Sequence, residues 1–193
     1  MVVRSFTHAA LPIEATPISD PVLLRRVETG ELDALGLLYD RYHAGIRLFL
    51  TRATAGAADV DDLVHETFLA AAESAARYDG RPSCRPWLVG IAVTLLRRRQ
   101  QRFGRFLRVL STLGSVGIHA TDARPTLDAR HDNTRALTRL SEVKRITLLM
   151  AELEGLSCHE IADVTGVPVG TVWTRLHAAR RELRAAMSEG SEP

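Results

Sequence analysis

The chain has 193 residues, and its 25 Lys and Arg against 23 Asp and Glu give a formal net charge of only +2. This length suits one ordinary domain or two small ones, and a composition of 46% hydrophobic and 25% charged residues excludes wholesale disorder. No stretch of about 18 apolar residues occurs, which excludes a transmembrane helix.

The first two predicted helices follow from capping residues and apolar spacing. Asp20 and Pro21 are typical of an N-cap followed by proline in the first helical turn, and Gly30 ends this short helix. Over residues 32–49, leucine, tyrosine, isoleucine and phenylalanine recur every three or four positions. That spacing predicts a longer amphipathic helix.

Two further helices complete a predicted bundle. Asp59 is a suitable N-cap for the third helix, whose apolar stripe continues to Ala75. A loop is predicted over residues 80–83, and Pro86 opens a fourth helix that continues through an arginine-rich stretch. Four such helices can enclose a small core, so residues 20–108 are predicted to form one helical bundle domain.

The helical pattern fails over residues 109–133, where glycine, proline and aspartate interrupt it. This stretch is predicted to be a flexible linker to a C-terminal helical domain over residues 134–187. Residues 1–19 and 188–193 are expected to be a disordered extension and a disordered tail. The predicted fold is therefore all-α, with two domains joined by a linker.

The C-terminal domain has the pattern of a helix-turn-helix. Ser157 and Glu160 form an S-x-x-E capping box at the start of a short helix. Gly166 stands where a glycine would end that helix, and a longer helix follows over residues 167–187. A short helix, a turn with glycine and a longer second helix are typical of proteins that read the DNA major groove.

Charge is distributed unevenly along the chain. Residues 53–76 hold five acids and no Lys or Arg, which gives −5, whereas residues 77–108 hold nine Arg and one Asp, which gives +8. Residues 171–187 hold four Arg and one Glu, which gives +3. Basic clusters of this kind are typical of proteins that bind a phosphate backbone, although any one of them is also consistent with an ordinary solvated helix face.

The second helix of the motif supplies candidate DNA-binding side chains. Arginine can bind guanine through two hydrogen bonds, and threonine can contact a thymine methyl group or a phosphate. The alternative for the tryptophan and the histidine is that they only cover the helical core. The candidates are Thr171, Trp173, Thr174, Arg175, His177, Arg180 and Arg181.

The C-terminal motif resembles region 4 of bacterial sigma factors of the extracytoplasmic-function (ECF) type. The resemblance lies in L-E-G-L-S at residues 153–157, E-I-A at 160–162, G-V-P-V-G-T-V at 166–172 and R-L-H at 175–177. Upstream, D-D-L-V-H-E-T-F-L at residues 61–69 is similar to the region 2 segment that docks on RNA polymerase. Two such motifs in the right order make the resemblance specific.

The resemblance implies a sigma factor with region 2 in the bundle domain and region 4 in the helix-turn-helix domain. Such a protein binds core RNA polymerase and directs transcription from promoters, and an anti-sigma factor is an expected partner. The helix-turn-helix candidates would then contact the −35 element. The implied −10 residues are Tyr78, Arg81, Arg85, Thr94, Arg97 and Arg98, and the implied polymerase-binding residues are Asp61, Asp62, Leu63, Val64, Glu66 and Phe68.

The sequence departs from the family pattern at several of these positions. An Asn is usual where Thr94 stands, an Asp where Arg98 stands, a Phe where Cys84 stands and a Lys where Trp173 stands. These departures leave open a degenerate sigma-like protein that only titrates an anti-sigma factor. A stand-alone helix-turn-helix regulator is a further alternative, but it leaves the acidic segment and the long basic block without a role.

The sequence does not favour an enzyme. The seven histidines show no HxxxH or HExxH spacing, and neither a phosphate-binding GxxxxGK loop nor a GxSxG motif is present. Cys84 and Cys158 are far apart, which argues against a disulfide framework or a cysteine-based zinc site and indicates a reducing compartment. We therefore expect no metal, no cofactor, no small-molecule substrate and no membrane insertion, in a protein of the cytoplasm.

Overall fold

The computed structural model describes residues 18–56, 59–112 and 132–189, and every regular element in these ranges is helical. The N-terminal half contains α1 (Asp20–Glu28), α2 (Leu32–Ala53), α3 (Val60–Glu73) and α4 (Arg85–Thr112), with a 3₁₀ turn at Ala75–Arg77. The C-terminal half contains α5 (Asp132–Arg139), α6 (Glu142–Glu152), α7 (Cys158–Thr165) and α8 (Val169–Glu189). The predicted all-α fold is confirmed.

Some predicted boundaries differ from the observed helices. Helix α4 continues to Thr112 and α5 begins at Asp132, so both ends of the predicted linker over residues 109–133 are helical. Helix α8 likewise includes the first two residues of the predicted tail over 188–193. The remainder of these segments and residues 1–17 of the predicted extension lie outside the described residues.

Helix α1 begins as the sequence predicts, but Asp20 has a different role. Ser19 is the N-cap and Pro21 lies in the first turn, while Asp20 is the first helical residue and is only 3% exposed. Its carboxylate accepts hydrogen bonds from Tyr42 and from the backbone N–H of Cys84, and it pairs with Arg41. The prediction that Asp20 caps α1 is therefore wrong, because its side chain joins α1 to two distant segments instead, namely α2 and the residue before α4.

Asp59 also has a role that the capping pattern does not predict. It occupies the N-cap position of α3 but makes no side-chain capping hydrogen bond. Its Oδ2 lies 2.5 Å from Nη2 of Arg99 on α4. The predicted helix start is correct, and the carboxylate ties α3 to the arginine-rich helix.

The helix-turn-helix is observed with its predicted local signals. Both hydrogen bonds of the Ser157–Glu160 capping box are present at the start of α7. Gly166 ends α7 with φ 64° and ψ 34°, a left-handed conformation that glycine adopts without a steric cost. The chain then turns into α8. The position of this helix, which is proposed to read DNA, therefore depends on three residues close together in sequence, Ser157, Glu160 and Gly166.

The two halves of the chain pack against each other. The buried apolar side chains form one continuous cluster, from Leu23 and Phe49 in the N-terminal half to Met150 and Leu176 in the C-terminal half. Helix α4 contacts α7, and α2 contacts α6. Across this boundary Arg145 Nε donates a hydrogen bond to the Ala53 carbonyl over 2.9 Å, and burial holds the pKa of Arg145 below its ordinary value.

Candidate nucleic-acid interface

Helix α8 presents the residues that the sequence predicts for reading DNA. Val172, Leu176 and Ala179 recur at intervals of four and three residues and are at most 2% exposed. Because side chains at this spacing share one face of a helix, the residues between them lie on the opposite face. That opposite face is therefore available to a ligand.

The outward face of α8 is mostly exposed. Trp173 is 60% exposed, so it is not a core residue, and Thr174 and His177 are exposed beside it. Arg180 and Arg181 are also exposed, and Arg180 pairs with Glu152 over 2.7 Å. Thr171 and Arg175 are half-buried, and Arg175 lies beside Arg97 of α4 in a small groove between the two halves.

The predicted −10 face is built around the start of α4. The Tyr78 ring lies edge-on to Trp87, with centroids 5.3 Å apart, and its hydroxyl donates a hydrogen bond to the Arg81 carbonyl over 2.6 Å. Burial raises the pKa of Tyr78, so the hydroxyl remains protonated and able to donate. Tyr78 and Trp87 thus form a fixed apolar support beneath the loop that holds Arg81.

Asp20 of α1 holds the same loop in place. The Cys84 backbone N–H donates to Asp20 Oδ2 over 2.8 Å, immediately before α4 begins. Burial raises the pKa of Asp20, but the hydrogen bonds from Tyr42, Cys84 and Arg41 outweigh it and hold the pKa below its ordinary value. Burial and the Asp20 contact raise the pKa of Tyr42 to about 12. A charged carboxylate therefore fixes the position of this loop.

Three of the arginines predicted to contact the −10 element are paired with the C-terminal half. Arg85 binds Glu154 through Nε at 2.6 Å and Nη2 at 3.1 Å. Arg81 pairs with Glu160, and Arg97 donates to a backbone carbonyl at the end of α7. These pairings have one origin, because each arginine lies on the side of the bundle that α7 covers.

Thr94 and Arg98 lie where the two halves leave a groove. The groove has a volume of about 520 Å³ and also contacts Trp87 and Asp163. Thr94 is half-buried and its hydroxyl donates to the Gly90 carbonyl over 2.9 Å, whereas Arg98 is exposed. Only Arg98 of this pair extends a free polar group away from its own helix.

The acidic helix α3 divides into a buried and an exposed face. Leu63, Val64 and Phe68 are at most 4% exposed and pack in the core, so the surface role considered for them does not match their position. Asp61, Asp62 and Glu66 are exposed, and Asp61 Oδ1 accepts a hydrogen bond from Arg47 Nε at 2.7 Å. That hydrogen bond holds the pKa of Asp61 below its ordinary value.

Two residues of these surfaces, Leu69 and Glu154, are not among the contacts predicted from the sequence. Leu69 is 62% exposed and is the large apolar residue that α3 presents beside its acids. Its place in the 3.6-residue pattern, on the polar side of the helix, is a signal that could have identified it. Glu154 is a buried partner of Arg85 that no local pattern indicates, because the two residues are 69 positions apart.

The described part of the chain shows no site for a metal and no membrane span. Among these residues, no three His, Cys, Asp or Glu side chains lie close enough together to hold a metal ion. None of the described helices is long and apolar enough to cross a membrane.

Comparisons with known proteins identify both halves. Residues 38–105 match the family model for Sigma-70 region 2, and residues 134–183 match the model for Sigma-70, region 4. The ECF RNA polymerase sigma-E factor of Haemophilus influenzae is 30% identical over 188 residues, covering 88% of this chain and 95% of that protein. The sigma factor CarQ of Myxococcus xanthus is 28% identical, covering 86% and 96%.

Solved structures give the same result. CnrH, in complex with the cytosolic domain of CnrY, matches with a TM-score of 0.57 and 26% identity, covering 89% of this chain and 99% of that one. The sigma factor RpoE of Bartonella quintana, in complex with the anti-sigma factor NepR, has the same fold, with a TM-score of 0.59 and 23% identity over 84% and 98% of the two chains. The chain belongs to the extracytoplasmic-function family of RNA polymerase sigma factors.

Proposed function

We propose that this sigma factor binds core RNA polymerase and directs it to promoters by reading the −35 element with α8 and the −10 element with the start of α4. The observation that carries this proposal is the exposed face of α8, on a helix-turn-helix in the same chain as an arginine-rich α4. A stand-alone regulator would leave the acidic α3 and the basic α4 without a partner. Two DNA-reading surfaces on one chain suit a promoter with two elements.

The outward face of α8 supplies the −35 contacts. Thr171, Trp173, Thr174 and Arg175 lie in its N-terminal part, the part that meets base edges when a recognition helix enters the major groove. Further along the helix, His177, Arg180 and Arg181 suit the phosphate backbone. The division predicts sequence-specific effects for the first group and salt-dependent effects for the second.

The start of α4 supplies the −10 contacts. Promoter opening requires an unstacked base to be held and the phosphates of a single strand to be followed by basic side chains. Tyr78 with Trp87 provides an aromatic support, and the arginines of the loop and of α4 provide the charge. Thr94 and Arg98 lie beside Trp87 on α4 and continue this face along the helix.

The exposed face of α3 supplies the polymerase contact. Asp61, Asp62 and Glu66 provide negative charge, and Leu69 provides an apolar anchor 62% exposed to solvent. Charges of one sign around an apolar anchor are typical of a protein-binding surface whose partner is basic. The buried Leu63, Val64 and Phe68 hold this face in position from beneath.

An anti-sigma factor is a further proposed partner. Two solved relatives with the same fold are recorded in complexes, one with an anti-sigma factor and one with a cytosolic domain. The proposed activity involves binding and not catalysis, so we assign no reaction to the chain. Because core polymerase and promoter DNA are found in the bacterial cytoplasm, that is the proposed location.

Run-off transcription with purified core polymerase tests the proposal. We expect promoter-specific transcripts from a pool of genomic promoters when the protein is added. Replacing Asp62 with Asn and Glu66 with Gln should abolish co-purification of polymerase and these transcripts, while replacing the exposed Asp33 and Asp40 of α2 with Asn should have no effect. Polymerase binding without transcripts would favour the degenerate sigma-like protein.

A further inference from the structure

Three of the arginines proposed to bind −10 DNA are already bound to oxygen atoms of the C-terminal half. Arg85 binds both carboxylate oxygens of Glu154, at 2.6 and 3.1 Å. The Glu154 side chain is fully buried, although it lies in the loop between α6 and α7. A buried carboxylate needs a partner, and here the partner is a residue proposed to bind DNA.

Two further arginines of the N-terminal half also bind oxygen atoms of the C-terminal half. Arg81 pairs with Glu160, which also forms the capping box of α7. Arg97 donates a hydrogen bond to the Thr165 carbonyl at the other end of α7. Carboxylate and carbonyl oxygens accept the hydrogen bonds that phosphate oxygens would accept, so an arginine N–H group used in one of these contacts is not available to a phosphate.

The boundary between the halves is also closely packed. Gly90 of α4 faces α7, and a Cβ atom added there would lie 3.1 Å from Cγ2 of Val164. Away from α7, Arg145 is 7% exposed and donates to the Ala53 carbonyl. Close packing and a buried hydrogen bond indicate a specific contact between the two halves.

We propose that the C-terminal half is an intramolecular competitor of promoter DNA, in which Glu154 and Glu160 occupy the arginines that would bind the phosphates of the −10 strand. This inference rests on the proposed function, which assigns those arginines to DNA. In the closed chain three arginines of the −10 face are occupied, while most of the outward face of α8 stays exposed. Separation of the two halves is then required before both promoter elements can be read.

A double variant, Glu154→Gln with Glu160→Gln, removes the two competing charges. Glutamine keeps the size of each side chain and still completes a capping box, so the fold of α7 is retained. The matched control is Glu28→Gln with Asp40→Asn, which changes the net charge by the same amount at exposed positions of α1 and α2. The full chain is used throughout, without polymerase.

The first measurement is the radius of gyration in solution by small-angle X-ray scattering. We expect the double variant to be more extended than the unmodified protein, and the control to have the radius of the unmodified protein. A second variant, Gly90→Leu, opens the same boundary by size instead of charge, because its side chain would collide with Val164. Unchanged radii for both variants would overturn the proposal.

The second measurement is binding to a fluorescent single-stranded DNA of mixed sequence and about twelve nucleotides, at fixed ionic strength. If closure leaves only a small fraction of molecules competent to bind, opening should raise the affinity roughly ten-fold. Adding Arg85→Ala to the double variant should remove most of that gain. A double variant that opens without a gain in DNA affinity, or a gain that the control also shows, would contradict the competition.

Run-off transcription separates this inference from the proposed function. If the unmodified protein directs transcription with polymerase but neither variant opens, the sigma-factor role stands and the competition is wrong. If the double variant opens and gains DNA affinity through Arg85, the competition is supported, and the transcription result decides the promoter role independently.

Discussion

The two proposed DNA-reading regions are constructed in opposite ways. The C-terminal region depends on local signals: a capping box, Gly166 and apolar residues every three or four positions of α8. The N-terminal region is assembled from distant residues, with Asp20 bonded to Cys84 across 64 positions. The face of α8 that is proposed to read the −35 element is mostly exposed. The C-terminal half packs instead on the face that is proposed to read the −10 element.

Tertiary structure matters more for one of these DNA-binding surfaces than for the other. A recognition helix needs only its own amphipathic pattern to point polar side chains away from the core. A loop that presents arginines has no such pattern, so buried partners must hold it in place. Four substitutions and one pH dependence test this comparison, and the substitutions are given in decreasing order of expected effect.

The largest effect is expected for Asp20→Ala. The change leaves Tyr42, Arg41 and the Cys84 N–H without their buried acceptor, which should cost about 3 kcal/mol in the free energy of unfolding. Urea denaturation measures this loss, and Asp40→Ala on the exposed face of α2 is the control. Equal losses for the two variants would mean that the loop does not depend on Asp20.

The same carboxylate predicts a pH dependence. The pKa of Asp20 is held below its ordinary value of 3.8, so its contribution to stability is fully present above that value. Stability should therefore fall as the pH drops through the lower folded-state pKa, and this part of the fall should be absent from Asp20→Asn. Denaturation midpoints measured from pH 6 downwards compare the two proteins.

The second effect is expected for Arg175→Ala in the reading helix. Binding to the preferred −35 duplex should weaken by about 1–3 kcal/mol, with relaxed specificity at one base pair. Arg184→Ala, on the same helix but nearer its C-terminal end, should not change the base preference. If both variants keep the same preference, Arg175 does not read a base.

A third, smaller effect is expected for Ser157→Ala. Loss of the N-cap hydrogen bond to Glu160 should lower the stability by about 1 kcal/mol. Ser141→Ala is the matched control, because Ser141 is the N-cap of α6 but makes no side-chain capping hydrogen bond. Thermal denaturation of the two variants should separate them, and identical melting curves would show that the capping box contributes nothing.

The smallest effect is expected for Glu160→Gln alone. Glutamine can still accept from the Ser157 N–H, so the stability should change by less than about 0.5 kcal/mol. The ion pair that Glu160 forms with Arg81 is partly exposed and contributes little to the free energy of unfolding. A loss as large as that of Ser157→Ala would show that the negative charge, and not the hydrogen bond, stabilises the start of α7.

Much of the fold and part of the site could be predicted from the sequence. Residues within a few positions of one another predict the helix starts near Asp20, Asp59 and Pro86. The same is true of the capping box and the turn at Gly166. The exposed face of α8 follows from periodicity. The roles of Asp20 and Glu154 could not be predicted, because a capping pattern or a loop glutamate does not indicate a partner more than 60 positions away.

Sequence alone is sufficient to derive the helices, their order, the helix-turn-helix pattern and the separation of acidic and basic charge along a chain with a net charge of +2. These properties depend on spacing and residue type, which act over one or two helical turns. The packed structure is needed to show which apolar residues of α3 are buried and which arginines are paired. Burial and ion pairing depend on which surfaces meet, and the packing of α7 on α4 places carboxylates of one half on arginines of the other.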